Sequence, residues 1–265
     1  MQPFSIYPLL LEPLALLLLL TTCSGFRAFS HTLSYITQQP ETSEAEVARL
    51  ASQLKSSSEE ERRDAAMQLS VLKSDRANAT LASAVTDTAA RVRASVVSGL
   101  ARQGHTSSIP LLAGRLKQDK DIFVRKTAAY ALAGFQGSER TLALTSALQD
   151  KDAEVRAAAA SALGDHADAE AITALSTALA DKSDFVRARA SYALGVNGRT
   201  AVSAVAKLIE LLSVDKDNEV RRQAAGALGS IGDRAALPAL ERARHDKDPY
   251  LVQAAAEAIK LIERP

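Results

Sequence analysis

The side chains able to do chemistry are few and scattered. The chain holds four histidines and one cysteine. His31, His105, His166 and His245 are followed by Thr32, Thr106, Ala167 and Asp246. A metal centre needs several imidazoles and carboxylates converging on one point. His105, His166 and His245 instead fall near helix junctions in different segments, a placement that reads as exposed turn histidines. One cysteine excludes a disulfide framework and a thiolate zinc site. No nucleophile elbow, phosphate loop or dinucleotide fingerprint is present. Gly226, Gly229 and Gly232 are spaced by three but belong to a helix end. Asn78-Ala79-Thr80 matches a glycosylation sequon, within a helical pattern. The expectation is therefore no catalytic residue, no metal and no cofactor.

What does recur is a charged pair. Val-Arg appears at Val92-Arg93, Val124-Arg125, Val155-Arg156, Val186-Arg187 and Val220-Arg221, with spacings of 32, 31, 31 and 34. An Asp precedes each Val by five residues: Asp87, Asp119, Asp150, Asp181 and Asp215. A Leu follows each by eight: Leu100, Leu132, Leu163, Leu194 and Leu228. Five arginines in register suggest an anion-binding track, but each comes with its own Asp, which favours a structural role. Degenerate copies flank the series, around Glu61-Arg62 with Leu69 and around Asp246 with Leu251-Val252. That makes seven copies.

Each copy reads as two helices. Val155, Ala159, Ala162 and Leu163 share one face of a 3.6-residue helix, and Ala171, Ile172, Leu175, Ala178 and Leu179 make another. Asp152 and Asp248 fit N-caps, with Pro249 at the tolerated first position. Gly104, Gly198 and Gly232 fit left-handed helix ends. Paired alanines such as Ala128-Ala129, Ala159-Ala160 and Ala224-Ala225 let helix axes approach closely. One helix pair cannot bury its apolar face alone, so the pairs must stack.

The run from Asp150 to Gly164, with Asp150, Val155, Arg156 and Leu163 at the recurring positions, resembles the HEAT repeat of the phycobilisome-lyase type. The resemblance covers about four-fifths of the chain, residues 43–265. It implies an all-α fold, an α-solenoid of about seven HEAT-like helix pairs whose second helices line the concave side. It also implies a hydrogen-bonded ladder between neighbouring repeats, built from Asp87, Asp119, Asp150, Asp181 and Asp215 with Arg93, Arg125, Arg156, Arg187 and Arg221. Some relatives are enzymes: deoxyhypusine hydroxylases, whose iron is held by His-Glu dyads, and phycobilin lyases. No His-Glu pair exists here, so an enzyme or enzyme subunit of either kind stands only as the alternative.

With Val as position 0, positions 2, 6 and 9 of the second helices are expected to line the concave side. Phe123-Val124-Arg125 with Tyr130 matches Phe185-Val186-Arg187 with Tyr192, in register. The Phe rings are expected to plug the core between repeats. Tyr130 and Tyr192 either lie half buried between helices or, with Lys126, Arg189, Arg222 and Gln223, form a groove for a protein or peptide.

Composition narrows the partner. Net charge is +1, from 32 basic and 31 acidic residues, so no field of one sign steers the chain to nucleic acid. Arg62, Arg63, Arg91 and Arg93 make a basic spot, but Glu59, Glu60 and Glu61 adjoin it, and a solvated mixed-charge face is expected. Residues 1–25 read as a hydrophobic signal or anchor segment: Phe4 to Gly25 carries one charge, Glu12. Leu20-Thr21-Thr22-Cys23 resembles a bacterial lipobox, which makes Cys23 a lipidation candidate; an uncleaved anchor stays open. Residues 26–42 read as a linker. The expected protein is a non-enzymatic interaction scaffold, exported or membrane-anchored through its N-terminus.

Overall fold

A computed structural model describes residues 44–165 and 167–264. The apolar segment 1–25 with Cys23, the linker 26–42, His31 and His166 lie outside the described residues. The chain divides into a unit of residues 1–49 and a unit of residues 50–265. In the first, residues 44–49 are helical and begin helix α1 (44–53). All that follows concerns the second unit.

Among its described residues there is no strand, and helices alternate in two layers. The first helix of each pair belongs to an A layer: α3 (Asp75–Ser83), α5 (Ile109–Gln118), α7 (Ser138–Ala147), α9 (Ala169–Ala178), α11 (Val205–Val214) and α13 (Leu237–Ala243). The second belongs to a B layer: α2 (Glu59–Leu69), α4 (Ala90–Gln103), α6 (Ile122–Ala133), α8 (Ala153–Gly164), α10 (Asp184–Val196), α12 (Asn218–Ile231) and α14 (Pro249–Glu263). Each B helix packs on the next B helix and on its own A helix, so the unit is an α-solenoid. None of these helices is long and apolar enough to cross a membrane.

The core is the recurring pattern folded inward. Val92, Val124, Val155, Val186 and Val220 are fully buried, as are Leu100, Leu132, Leu163, Leu194 and Leu228. From the A layer come Ala171, Ile172, Leu175, Ala178 and Leu179. Helix boundaries follow cap chemistry. Asp248 accepts from the Tyr250 amide ahead of Pro249. Gly104 and Gly232 close α4 and α12 at φ of 74° and 76°, a region where a side chain would be strained. Asp152 holds the N-cap position of α8 without capping it, because its carboxylate turns to Arg125.

Consecutive B helices pack more closely on one another than consecutive A helices do. A Cβ added at Gly164 would stand 2.9 Å from the Ala193 Cβ, at Gly195 2.9 Å from the Ala227 Cα, and at Gly229 2.7 Å from the Ala258 Cα. Those distances lie inside van der Waals contact, so these glycines let consecutive backbones nearly touch. A stack whose members approach more closely in one layer curves toward that layer, which puts the B helices on the concave side of this unit.

Candidate functional site

Two sets of charged and aromatic side chains lie on different parts of the B layer. The first runs along the loop edge. Arg93 directs Nε and Nη2 at the Asp119 carboxylate, both at 2.7 Å, and its Nη1 donates to the Asp87 carbonyl at 2.8 Å. Arg125 repeats this with Asp150 and the Asp119 carbonyl, Arg156 with Asp181 and the Asp150 carbonyl, and Arg187 with Asp215 and the Asp181 carbonyl. Each Asp also accepts from the amide two residues on, as Asp119 does from Asp121 at 3.0 Å. Each guanidinium therefore grips the next repeat's carboxylate and its own repeat's loop.

The ladder read from the sequence, which already held Asp87 and Arg221, gains one further residue at each end, Arg62 and Asp246. Arg62 pairs with Asp87 at 2.7 Å, and Arg221 reaches Asp246 at 3.4 Å. The last rung is loose: the Arg221 Nε is buried with no hydrogen-bond partner. Burial works to raise the Asp87, Asp119, Asp181 and Asp215 carboxyls, but the arginine fork and the loop amide outweigh it, and all four sit below the usual carboxylate range. Donors spent in this way are not available to an anion, so the track suggested by five arginines in register does not exist as an open surface.

The second set lies on the open face of the B helices. Tyr130 and Tyr192 are each 53% exposed. Phe123 and Phe185 are 54% and 45% exposed, so the expectation that they plug the inter-repeat core is corrected. The position before the Val sits at the start of the helix, beyond the reach of the next repeat, and points outward. Positions 2, 6 and 9 likewise divide: position 6 is open, while Ala157 at position 2 and Gly164 and Gly229 at position 9 are covered by the neighbouring helix. Both flanks of each inner B helix, α4 to α12, are packed, which leaves only a narrow open stripe.

Along that stripe, α6 and α10 carry matching aromatic walls, Phe123 with Tyr130 and Phe185 with Tyr192. On the helix between them, α8, the stripe holds the exposed Glu154 and the half-buried Ser161, while Ala157 and Ala158 are buried. Lys126 does not stand free: its Nζ meets Glu154 of α8 at 2.7 Å, and this hydrogen bond holds the ammonium above its ordinary pKa. The Arg189 guanidinium lies 5.2 Å from the Phe185 ring centroid, within cation–π range. Arg222 pairs with Glu219 at 2.8 Å and Asp248 at 3.0 Å and covers the Tyr250 ring at 5.6 Å. Gln223 donates to Glu219 at 2.7 Å, and Gln223 with Arg222 keeps the Glu219 carboxyl below its ordinary value. The six candidate residues thus form two neighbourhoods. Lys126, Tyr130, Arg189 and Tyr192 belong to the aromatic walls, whereas Arg222 and Gln223 belong to a self-satisfied charge cluster on α12.

Other residues resolve plainly. Asn78 is buried and its Nδ2 donates to the Ser108 hydroxyl at 3.3 Å, so the sequon is closed to modification in the folded protein. His105 stands near Asp75 at 3.4 Å and His245 is exposed. Among the described residues no three His, Cys, Asp or Glu gather to hold a metal ion. Arg140 escaped the sequence reading: it is only 1% exposed, donates to the Ala162 and Leu132 carbonyls, and is pushed down by burial. It ties the ends of α6 and α8 together.

Stacked helix pairs with a charged ladder along the loop edge define an α-solenoid. The model of the HEAT repeats matches residues 47–133, 124–195 and 186–260, and the chain belongs to the HEAT-repeat family. Among solved structures, it is similar to the Escherichia coli protein YibA, at 22% identity over 84% of this chain and 82% of that one, with a TM-score of 0.60. The complex of CpcE and CpcF of phycocyanin lyase from a Nostoc species is 22% identical over 81% and 92%, with a TM-score of 0.50. A designed armadillo repeat protein in complex with the peptide (KR)4 is 21% identical over 81% and 98%, also at 0.50. At these identities the likeness is one of fold. No curated protein sequence matches the chain.

Proposed function

We propose that this protein is a scaffold that holds a protein or peptide partner along the face formed by its B helices. One observation carries the reading: two Phe-Tyr walls, in the same register on α6 and α10, stand about half exposed on either side of α8. Large rings left in water on one stripe, rather than scattered singly, mark an interaction surface. Tyr and Arg are also the side chains that most often anchor interfaces. The flanking Lys126 and Arg189 are already oriented by Glu154 and Phe185, so little side-chain freedom is lost on binding.

A pull-down with the repeat region as bait tests this. Tyr130→Ala combined with Tyr192→Ala is expected to abolish capture of the partners held by the unaltered protein, with helicity and melting temperature kept. Unchanged capture removes the tyrosines from the site. We further propose, from the apolar composition of residues 1–25, that the repeats work outside the cytoplasm or at a membrane. Protease access in intact cells tests that placement, and protection of the repeats together with recovery in the soluble cytosolic fraction would reject it.

A further inference from the structure

The B face is not uniform along its length, and its N-terminal end carries charge that nothing answers. Arg91 and Arg102 lie on α4, eleven residues apart, hence on one side of the helix and separated by roughly 16 Å. Both are exposed, and neither forms an ion pair with any described residue. They frame a hollow of about 460 Å³ shared with Arg63, Met67, Ser98 and Phe123. Arg63 is engaged by Asp64 at 3.1 Å and Glu60 at 3.7 Å. Met67 and Phe123 are 55% and 54% exposed and stand to either side of α4, on α2 and α6.

The position of Arg91 sharpens the point. It is the second residue of its helix, where the macrodipole favours acids and disfavours cations. The same register position holds Glu154 in α8 and Glu219 in α12. The N-cap residue of α4, Ala89, supplies no side-chain bond, and no acid stands in its first turn. A cation kept against local preference, unpaired and beside exposed apolar groups, is the kind of local conflict expected at a binding surface.

We infer that this hollow receives an acidic segment of a protein partner, with carboxylates at Arg91 and Arg102 and an apolar side chain between Met67 and Phe123. The inference deepens the scaffold reading and rests on it. The partner's chemistry follows from charge complementarity: the free groups are cations, and the guanidinium fork suits a carboxylate. A nucleic acid fits less well. It would meet Glu60 and Asp64 on the same rim, and two free cations are too few to track a phosphate backbone.

The test uses the full chain and three labelled probes: a short peptide alternating Asp or Glu with Leu and Phe, the same peptide with Asn and Gln in place of the acids, and a short single-stranded oligonucleotide. Fluorescence anisotropy is expected to show binding of the acidic peptide that weakens with salt. Arg91→Gln with Arg102→Gln should weaken it by about tenfold or more, since two charge-assisted hydrogen bonds are lost. Both substitutions are at exposed positions, and circular dichroism checks that folding is kept. Equal binding of the neutral peptide, no binding of the acidic one, unchanged affinity in the double variant, or tighter binding of the oligonucleotide would each overturn the inference. The scaffold reading fails separately. If the arginine variant keeps its partners in the pull-down while the tyrosine variant loses them, only the acidic-segment site falls.

Discussion

The loop edge and the open stripe of the B helices are built from the same residue types and put them to opposite uses. On the loop edge, Arg93 and Asp119 are 5% and 1% exposed and spend their donors and acceptors on each other and on nearby backbone. On the stripe, Arg91 has no ion-pair partner, only two residues away in sequence. Position in the helix decides between them. An arginine one residue after the buried Val reaches the neighbouring loop, and one residue before it faces solvent. The ladder holds repeats together, and the stripe is left with the groups that can hold something else.

The largest expected effect comes from breaking the ladder where it is tightest. Arg93→Ala leaves the buried Asp119 with only the longer contact to Arg115, at 3.4 Å, and should cost about 3 kcal/mol in urea unfolding. Arg221→Ala removes a rung that is long and partly exposed, and should cost about 1 kcal/mol or less. Equal losses at the two sites would contradict the contrast between inner and terminal rungs.

Acid should act on the same edge. Four of the ladder aspartates, Asp87, Asp119, Asp181 and Asp215, have folded-state values below their unfolded value of about 3.9. Their contribution is present in full above that value and is lost as pH falls through the folded ones. Melting temperature should hold steady from neutral pH down to about 5 and drop steeply below about 4. A drop centred near pH 6 would implicate histidines instead.

Glycines separate the packed flank from the open stripe. At Gly229 an added methyl would sit 2.7 Å from the Ala258 backbone, so Gly229→Ala should destabilise by about 1–3 kcal/mol despite better helix propensity. At Gly226, on the stripe of the same helix, nothing lies within 4 Å, and Gly226→Ala should stabilise by about 0.5–1 kcal/mol. Thermal denaturation of the two variants reads the sign directly. Smallest of all is the stability change in the Tyr130→Ala, Tyr192→Ala variant, expected within about 0.5 kcal/mol per site, because half-exposed rings contribute little to the core.

The repeat, its helices and its core were legible because they depend on spacing along one chain. Val124, Leu132 and their equivalents point inward in every copy, and Gly104 and Gly232 end helices where a left-handed residue is needed. The open stripe was harder to read, because it depends on how close the next helix comes. Periodicity alone placed positions 2, 6 and 9 together, whereas packing at Gly164 and Gly229 closes position 9 and leaves position 6 open. Phe123 and Phe185 looked like core residues by type, yet the core at that level is already filled by Val124 and Val186. Arg140, and the absence of partners around Arg91 and Arg102, arise between helices distant in sequence, which no local pattern records.

The separation of a structural edge from the proposed binding face is tested most directly by site-specific photo-crosslinking. A photoreactive side chain is placed at position 130, at position 192, or at Leu142, which is 57% exposed on the A helix α7. The same partner should be captured from positions 130 and 192 and not from 142. Capture from 142 with none from 130 and 192 would put the binding surface on the other layer.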